Sequence, residues 1–212
     1  MHVIDMQKII FLLVLISFCG LSFPQKDNVQ ELMVQSTPAP VVTKIYSQVV
    51  SFTLPKGFVI SSAKQEDGSY VQKFRLIAPS PATDLLLNQE IYLLGMRGIF
   101  KTDDSIQSIV NLLKKITKTQ CVDTFAVDDV GKTNTATGQS AFVFMAGCGF
   151  RKPIENSEKD KKMSMFVVIQ GKDDMYVFQW IESSSSAAMP SLSWPVWRKR
   201  LEELMPFSLQ EL

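Results

Sequence analysis

Imidazole, thiolate and paired carboxylates are the side chains that most often carry protein chemistry, and this chain is short of the first. Its 212 residues include 1 histidine, His2, which sits in a leader expected to be removed. Ser-His-Asp and Cys-His sites need an imidazole to take the nucleophile's proton, so the mature chain lacks them, and it lacks zinc sites built on imidazole too. Of the 3 cysteines, Cys121 and Cys148 lie outside the leader. Two cysteines without close spacing do not make a thiolate metal cage. Cys148, in Gly147-Cys148-Gly149, has no evident base beside it and falls on an apolar strand face. In an exported chain a Cys121–Cys148 disulfide is the expected state.

Carboxylates occur in pairs at Asp103/Asp104, Asp128/Asp129 and Asp173/Asp174. Each pair sits where a plain role suffices, as a helix start or a hairpin loop. Glycosidase-type chemistry needs two carboxylates roughly 5–10 Å apart across a cleft. Asp128, Asp129 and Asn134 gather oxygen donors suited to a divalent cation, but their spacing is not that of an EF-hand loop. The 10 glycines are dispersed at turns, with no phosphate-binding loop. No catalytic residue, cofactor or metal is expected. A net charge of +1 gives no reason to expect nucleic acid.

One apolar and basic group stands apart. Trp194 and Trp197, followed by Arg198, Lys199 and Arg200, open a terminal helix and form a candidate interface patch. The competing reading packs that helix on the sheet.

Behind these residues stand elements with clear periods. Phe142, Phe144, Ala146 and Cys148 share one face of a strand over Ser140–Phe150, and Tyr176, Phe178 and Trp180 share one face of another over Met175–Glu182. That alternation is the mark of a half-buried strand. Strands are also expected over Val122–Val127 and Lys162–Gln170, with Gly171–Asp174 as a hairpin turn. Earlier, Val50, Phe52 and Leu54 alternate with polar neighbours before the turn Pro55-Lys56-Gly57. Tyr70, Gln72, Phe74 and Leu76 share a face against Lys73 and Arg75, and Glu90–Met96 follows a Pro-rich loop, Pro79–Pro81. Asp128–Gly138 and Arg151–Lys162 read as polar loops.

Two segments have helical period. Ile106, Ile109, Val110, Leu113 and Ile116 recur at three and four, with Thr102 or Asp103 as the cap and Lys114, Lys115 and Lys118 toward the negative end of the dipole. The second runs over Trp194–Met205, capped by Ser193 and stopped by Pro206.

The N-terminus has the order of a secretory signal peptide: Lys8, the apolar run Ile9–Phe18, then small residues Cys19, Gly20 and Ser22. Cleavage is expected after Ser22. Asp5 is atypical of the charged region, and a start at Met6 gives a cleaner opening. A lipoprotein through Cys19 is the alternative, although Phe18 is bulky for the residue before a lipidated cysteine. The expected organisation is a signal peptide over 1–22, a flexible arm with Pro24, Pro38 and Pro40 over 23–45, and a single α+β domain over 46–212.

An opening strand running into Phe52-Thr53-Leu54-Pro55-Lys56-Gly57-Phe58, a hairpin, a further strand, a long helix, more strands and a closing amphipathic helix together resemble the PsbP-like superfamily, which includes the DcrB-type bacterial envelope proteins. The resemblance covers roughly Tyr46 to Leu209. It implies a mostly antiparallel sheet with helices packed on it, a PsbP-like sandwich, and roles in binding or assembly without shared catalytic residues. The expectation is therefore a periplasmic or secreted, non-enzymatic module with a protein partner in the cell envelope. It would associate with the membrane only if Cys19 is lipidated or the leader is retained. The alternative is a carboxylate-based enzyme, or a small-ligand carrier with a pocket between sheet and helix.

Overall fold

The computed structural model describes residues 37–66, 68–77, 88–98, 105–121, 125–148, 161–184 and 193–212, all within the unit from Val34 to Leu212. The expected signal peptide with Cys19, the expected Thr102/Asp103 cap, and the expected loops at Pro79–Pro81 and 151–160 lie outside the described residues.

Among the described residues ten strands and two helices follow in order: β1 Ala39–Ile45, β2 Gln48–Leu54, β3 Phe58–Glu66, β4 Ser69–Leu76, β5 Asn88–Arg97, α1 Ser105–Gln120, β6 Ala126–Asn134, β7 Ser140–Cys148, β8 Lys161–Gln170, β9 Asp174–Ser184, α2 Trp194–Leu204 and β10 Ser208–Glu211. They form two antiparallel sheets, a seven-stranded one in the order β3-β4-β5-β9-β8-β7-β6 and a three-stranded one in the order β1-β2-β10. The chain is thus α+β and mostly antiparallel, with the helices packed on sheet.

The two faces of the large sheet are covered differently. One carries Phe74, Ile91, Trp180, Met165 and Met145 in a single row across five strands. This face joins Val50, Phe52 and Leu54 of β2, Trp197 and Leu204 of α2, and Leu209 of β10 in one core cluster. The other face receives α1 over β7 and β8, where Lys114 Nζ lies 5.9 Å from the Phe142 ring centroid and 5.5 Å from that of Phe144. Burial on both sides corrects the half-buried reading of β7 and β9: Val143 and Met145 are as buried as Phe142 and Phe144, and Val177 as buried as Phe178.

The folded unit also begins earlier than Tyr46. β1 occupies 39–45, inside the segment expected to be a flexible arm, and pairs with β2 along its length. Pro40 masked it, yet β1 is an edge strand, the one place in a sheet where a missing N–H is tolerated. Likewise 128–134, expected as a polar loop, is the edge strand β6. Its residues are mostly exposed, so it lacks an apolar alternation, and a register shift between Asp129 and Gly131 marks a bulge.

Two groups of hydrogen bonds pin the sheets together. The β6–β7 turn covers the free edge of β10: Thr137 Oγ1 accepts from Leu209 N at 3.0 Å, Gln139 Nε2 donates to Leu209 O at 3.1 Å, and Ala136 N donates to Phe207 O at 2.9 Å. At the β1–β2 turn, Asp174 Oδ2 accepts from Ser47 Oγ at 2.7 Å and its Oδ1 from Gly98 N at 3.1 Å. Tyr176 donates its hydroxyl proton to Ile45 O at 3.1 Å beside it.

Candidate functional site

Cys121 and Cys148 are joined, with their Cα atoms 5.0 Å apart. Cys121 directly follows α1 and Cys148 ends β7, so the bridge ties the helix C-terminus to the sheet it covers. Close approach of β7 and β8 explains the glycine before Cys148: a Cβ at Gly147 would lie 2.3 Å from the Lys162 carbonyl oxygen.

The Trp/Arg group does not form one surface. Trp197 is buried in the core, Trp194 is half-buried against it, and Arg198 is exposed and pairs with Glu202 at 3.1 Å. Arg200 turns inward. Its Nε lies 3.0 Å from Glu182 Oε1, and its guanidinium lies 5.3 Å from the Trp180 ring centroid. The interface expected at Trp194, Trp197, Arg198 and Arg200 is therefore corrected for Trp197 and Arg200, because three- and four-residue spacing puts them on the helix face that meets the sheet.

The acidic pairs also part company. Asp128 and Asp129 fall opposite Met145 and Phe144, on different faces of β6. Asp129 is taken by Lys114 at 2.6 Å, so that lysine serves a specific pair and not only the helix dipole. Among the described residues no cluster of acidic, Cys or His groups is arranged to hold a metal. Asp103 and Asp104 lie outside the described residues.

One polar cluster, around Glu90, is one that sequence reading missed. On the large-sheet face that α1 shares, register sets Lys73 opposite Tyr92, Tyr92 opposite Gln179, Glu90 opposite Ile181, and Ile181 opposite Ser164. Glu90 is the hub. Its Oε1 lies 2.6 Å from Lys73 Nζ, and its Oε2 accepts from Tyr92 OH at 2.8 Å. Lys73 Nζ also lies 5.4 Å from the Tyr92 ring centroid. Gln179 Nε2 donates to Ser164 Oγ at 3.1 Å, both side chains being buried. Lys162 is next on this face of β8. Burial holds its ammonium below the ordinary lysine range; Glu90 pulls it back up and Lys73 lowers it further. Side-chain exposures of 21% at Lys73 and 33% at Glu90 leave the cluster open to solvent.

The signal for this site was present but scattered. Lys73 and Arg75 read as the solvent face of an amphipathic strand. Their meeting with Lys162 and Ser164 depends on β5 pairing with β9, a partner some ninety residues on, roughly the separation at which local pattern carries no information.

No family model matches the sequence, and no curated protein matches it either. Among solved structures the chain is similar to a mutant of protein Mog1, at 13% identity and a TM-score of 0.43 over 79% of this chain and 86% of that one. It is also similar to the Saccharomyces cerevisiae Ran-binding protein Mog1p, at 14% identity and a TM-score of 0.43 over 81% and 86%. Likeness at that level carries no functional argument, and the class of this protein rests on its own architecture, an antiparallel α+β sandwich.

Proposed function

We propose that the chain is an exported, non-enzymatic binding or assembly module that holds a protein partner in a bacterial envelope or secreted space. Its resemblance to the PsbP-like superfamily belongs to the same proposal. The observation that carries the non-enzymatic reading is the fate of the two buried carboxylates among the described residues, Asp174 and Glu182. Both lie on the extended strand β9, so roughly 26 Å separates them at about 3.3 Å per residue. A carboxylate pair working on one bond is roughly 5–10 Å apart. Each acid is instead consumed in joining elements, Asp174 to the β1–β2 turn and Glu182 to α2. The disulfide supports export, since such bonds persist in oxidising compartments.

Exposed β-branched residues on edge strands support a protein partner. Val42 on β1, Ile60 on β3 and Val127 and Val130 on β6 all face solvent. The test is a cross-linked pull-down from native envelope extract with the mature chain as bait, together with the intact mass of the native protein. A defined protein partner and an N-terminus at Phe23 are expected. A mature chain that keeps His2, or an acylated Cys19, overturns cleavage after Ser22. A turnover activity lost on Glu182→Gln in a folded protein overturns the non-enzymatic one. The second reading, a small-ligand carrier, is favoured by the polar cluster around Glu90 on an otherwise apolar sheet face.

A further inference from the structure

We propose that Lys162, with Lys73 and Ser164 beside it, forms a binding site for a small oxyanion, a carboxylate or phosphate group, on the sheet face spanning β4, β5, β9 and β8. The inference deepens the small-ligand reading and is independent of the protein-partner one.

Charge accounting leads to it. Over β4, β5, β9 and β8 the face presents three cations, Lys73, Lys162 and, at the exposed rim, Arg75, and one carboxylate, Glu90. Both oxygens of that carboxylate are already engaged, one by Lys73 and one by Tyr92. Lys162 has no ion pair within 4.0 Å among the described residues, although it is half-buried and burial disfavours its charge. A desolvated cation is ordinarily paired, because burial without a counter-charge is costly. Glu90 acts on Lys162 as a charge without reaching ion-pair distance, its oxygens being held toward Lys73 and Tyr92.

The surroundings supply the rest of an anion site. Ser164 accepts from Gln179 and so keeps its own hydroxyl proton to donate. It is on the same face as Lys162, one step along β8. Arg75, exposed and opposite Glu90 in register, adds positive potential at the rim. Ile181 gives the site an apolar floor, which lowers the local dielectric and strengthens a charge-assisted bond to a bound oxyanion. Small size follows from the one unpaired ammonium beside Ser164, with Arg75 left at the exposed rim. One oxygen pair can meet Lys162 and Ser164, while a large polyanion would have to displace Glu90.

Calorimetric titration of the full folded chain with inorganic phosphate and with acetate, at ionic strength held constant with chloride, tests the site. Saturable binding of at least one of the two is expected, phosphate alone marking a preference for higher charge and acetate alone for a planar carboxylate. Lys162→Met should weaken it about tenfold or more, a loss of roughly 1.4 kcal/mol. Lys162→Gln serves as the second variant should the methionine one not fold. Lys115→Met, an exposed lysine on α1, should leave it unchanged. Glu90→Gln should tighten binding, because it removes the negative charge that competes with the ligand. The proposal fails if neither anion binds saturably. It also fails if a folded Lys162 variant binds as well as wild type, or if Lys115→Met weakens binding as much as Lys162→Met does.

Discussion

A lysine held below its ordinary range by burial makes a signed prediction about stability. The unfolded chain protonates Lys162 up to a pH of about 10.4, whereas the folded chain releases the proton earlier. Between those two values the unfolded state binds more protons, so the contribution of this group to stability rises with pH. Below the folded value its cost is fully present. Lys162→Met should therefore raise the melting temperature at pH 7, and that advantage should shrink as pH approaches about 10. Parallel melts of the two proteins from pH 7 to 10 check it. An advantage that stays constant or grows with pH defeats the assignment. Glu182 gives a second prediction. It is 2% exposed and bonded to Arg200, so Arg200→Met leaves a buried carboxylate without its cation. The cost should be about 2–3 kcal/mol, at the low end for broken buried pairs because Arg200 retains 26% exposure. The double change Glu182→Met with Arg200→Met should recover much of it in urea denaturation. A double variant as unstable as the sum of both singles would show that packing, not charge, sets the loss. Neither residue could be placed from sequence. Arg200 reads as part of a basic surface run, and only the rotation of α2 onto Trp180 turns it inward.

Elements with strong periods were legible. The stripe Ile109, Val110 and Leu113 is the buried face of α1, and the residues expected on one face of β7 and of β9 do share one. Edge strands were not. β1 carries Pro40 and Lys44 on its exposed side, and β6 has no buried side chain, so in both the sheet supplies what composition hides. The second sheet was missed for the same reason, since two of its three strands are an edge with a proline and the four-residue β10. Ser193 takes the N-cap position of α2 with extended backbone but without a side-chain cap bond, so the sequence located that boundary and not its chemistry. At this scale the disulfide makes the third prediction. Its cysteines are separated by 27 residues, and closing such a loop stabilises by about 3–4 kcal/mol on the chain-entropy model. For a domain of this size that is roughly 6–16 °C in melting temperature. Reduction should lower the midpoint by that amount and leave the fold intact below it. An unchanged midpoint after full reduction, confirmed by thiol titration, defeats the estimate, as does loss of the fold at room temperature.

The two sheets share one core and are pinned together by hydrogen bonds at their edges, and the Asp174 joint concentrates unusual demands. Tyr46, in the two-residue turn between β1 and β2, has φ 57°, a left-handed conformation that a bulky residue rarely adopts. Asp174 holds the turn from the next residue by accepting from Ser47, and the same carboxylate reaches Gly98 at the end of β5. Burial first, and then the Asp174 charge, push the Tyr176 phenol far above its usual range, so its proton stays on the oxygen that donates to Ile45. On the far side of the joint Gln48 Oε1 accepts from Lys172 N at 3.2 Å. A Cβ at Gly171 would lie 2.0 Å from that oxygen and 2.8 Å from the Tyr176 ring. Gly171→Ala must therefore push Gln48 off its bond or open the joint, at a cost of about 1–3 kcal/mol. Asp174→Ala removes charge-assisted bonds from two elements and should cost about 2–4 kcal/mol. The distinctive expectation is where the loss is felt. Hydrogen exchange should quicken at the β1–β2 hairpin in both variants and stay slow at β7 and β8, which are central strands covered by α1 on their other face. Urea unfolding should keep its slope if the sheets still unfold together, and show a reduced slope if the small sheet has come loose. Uniform acceleration of exchange across both sheets, or no acceleration at the hairpin, would mean that the Asp174 cluster is not the joint between them.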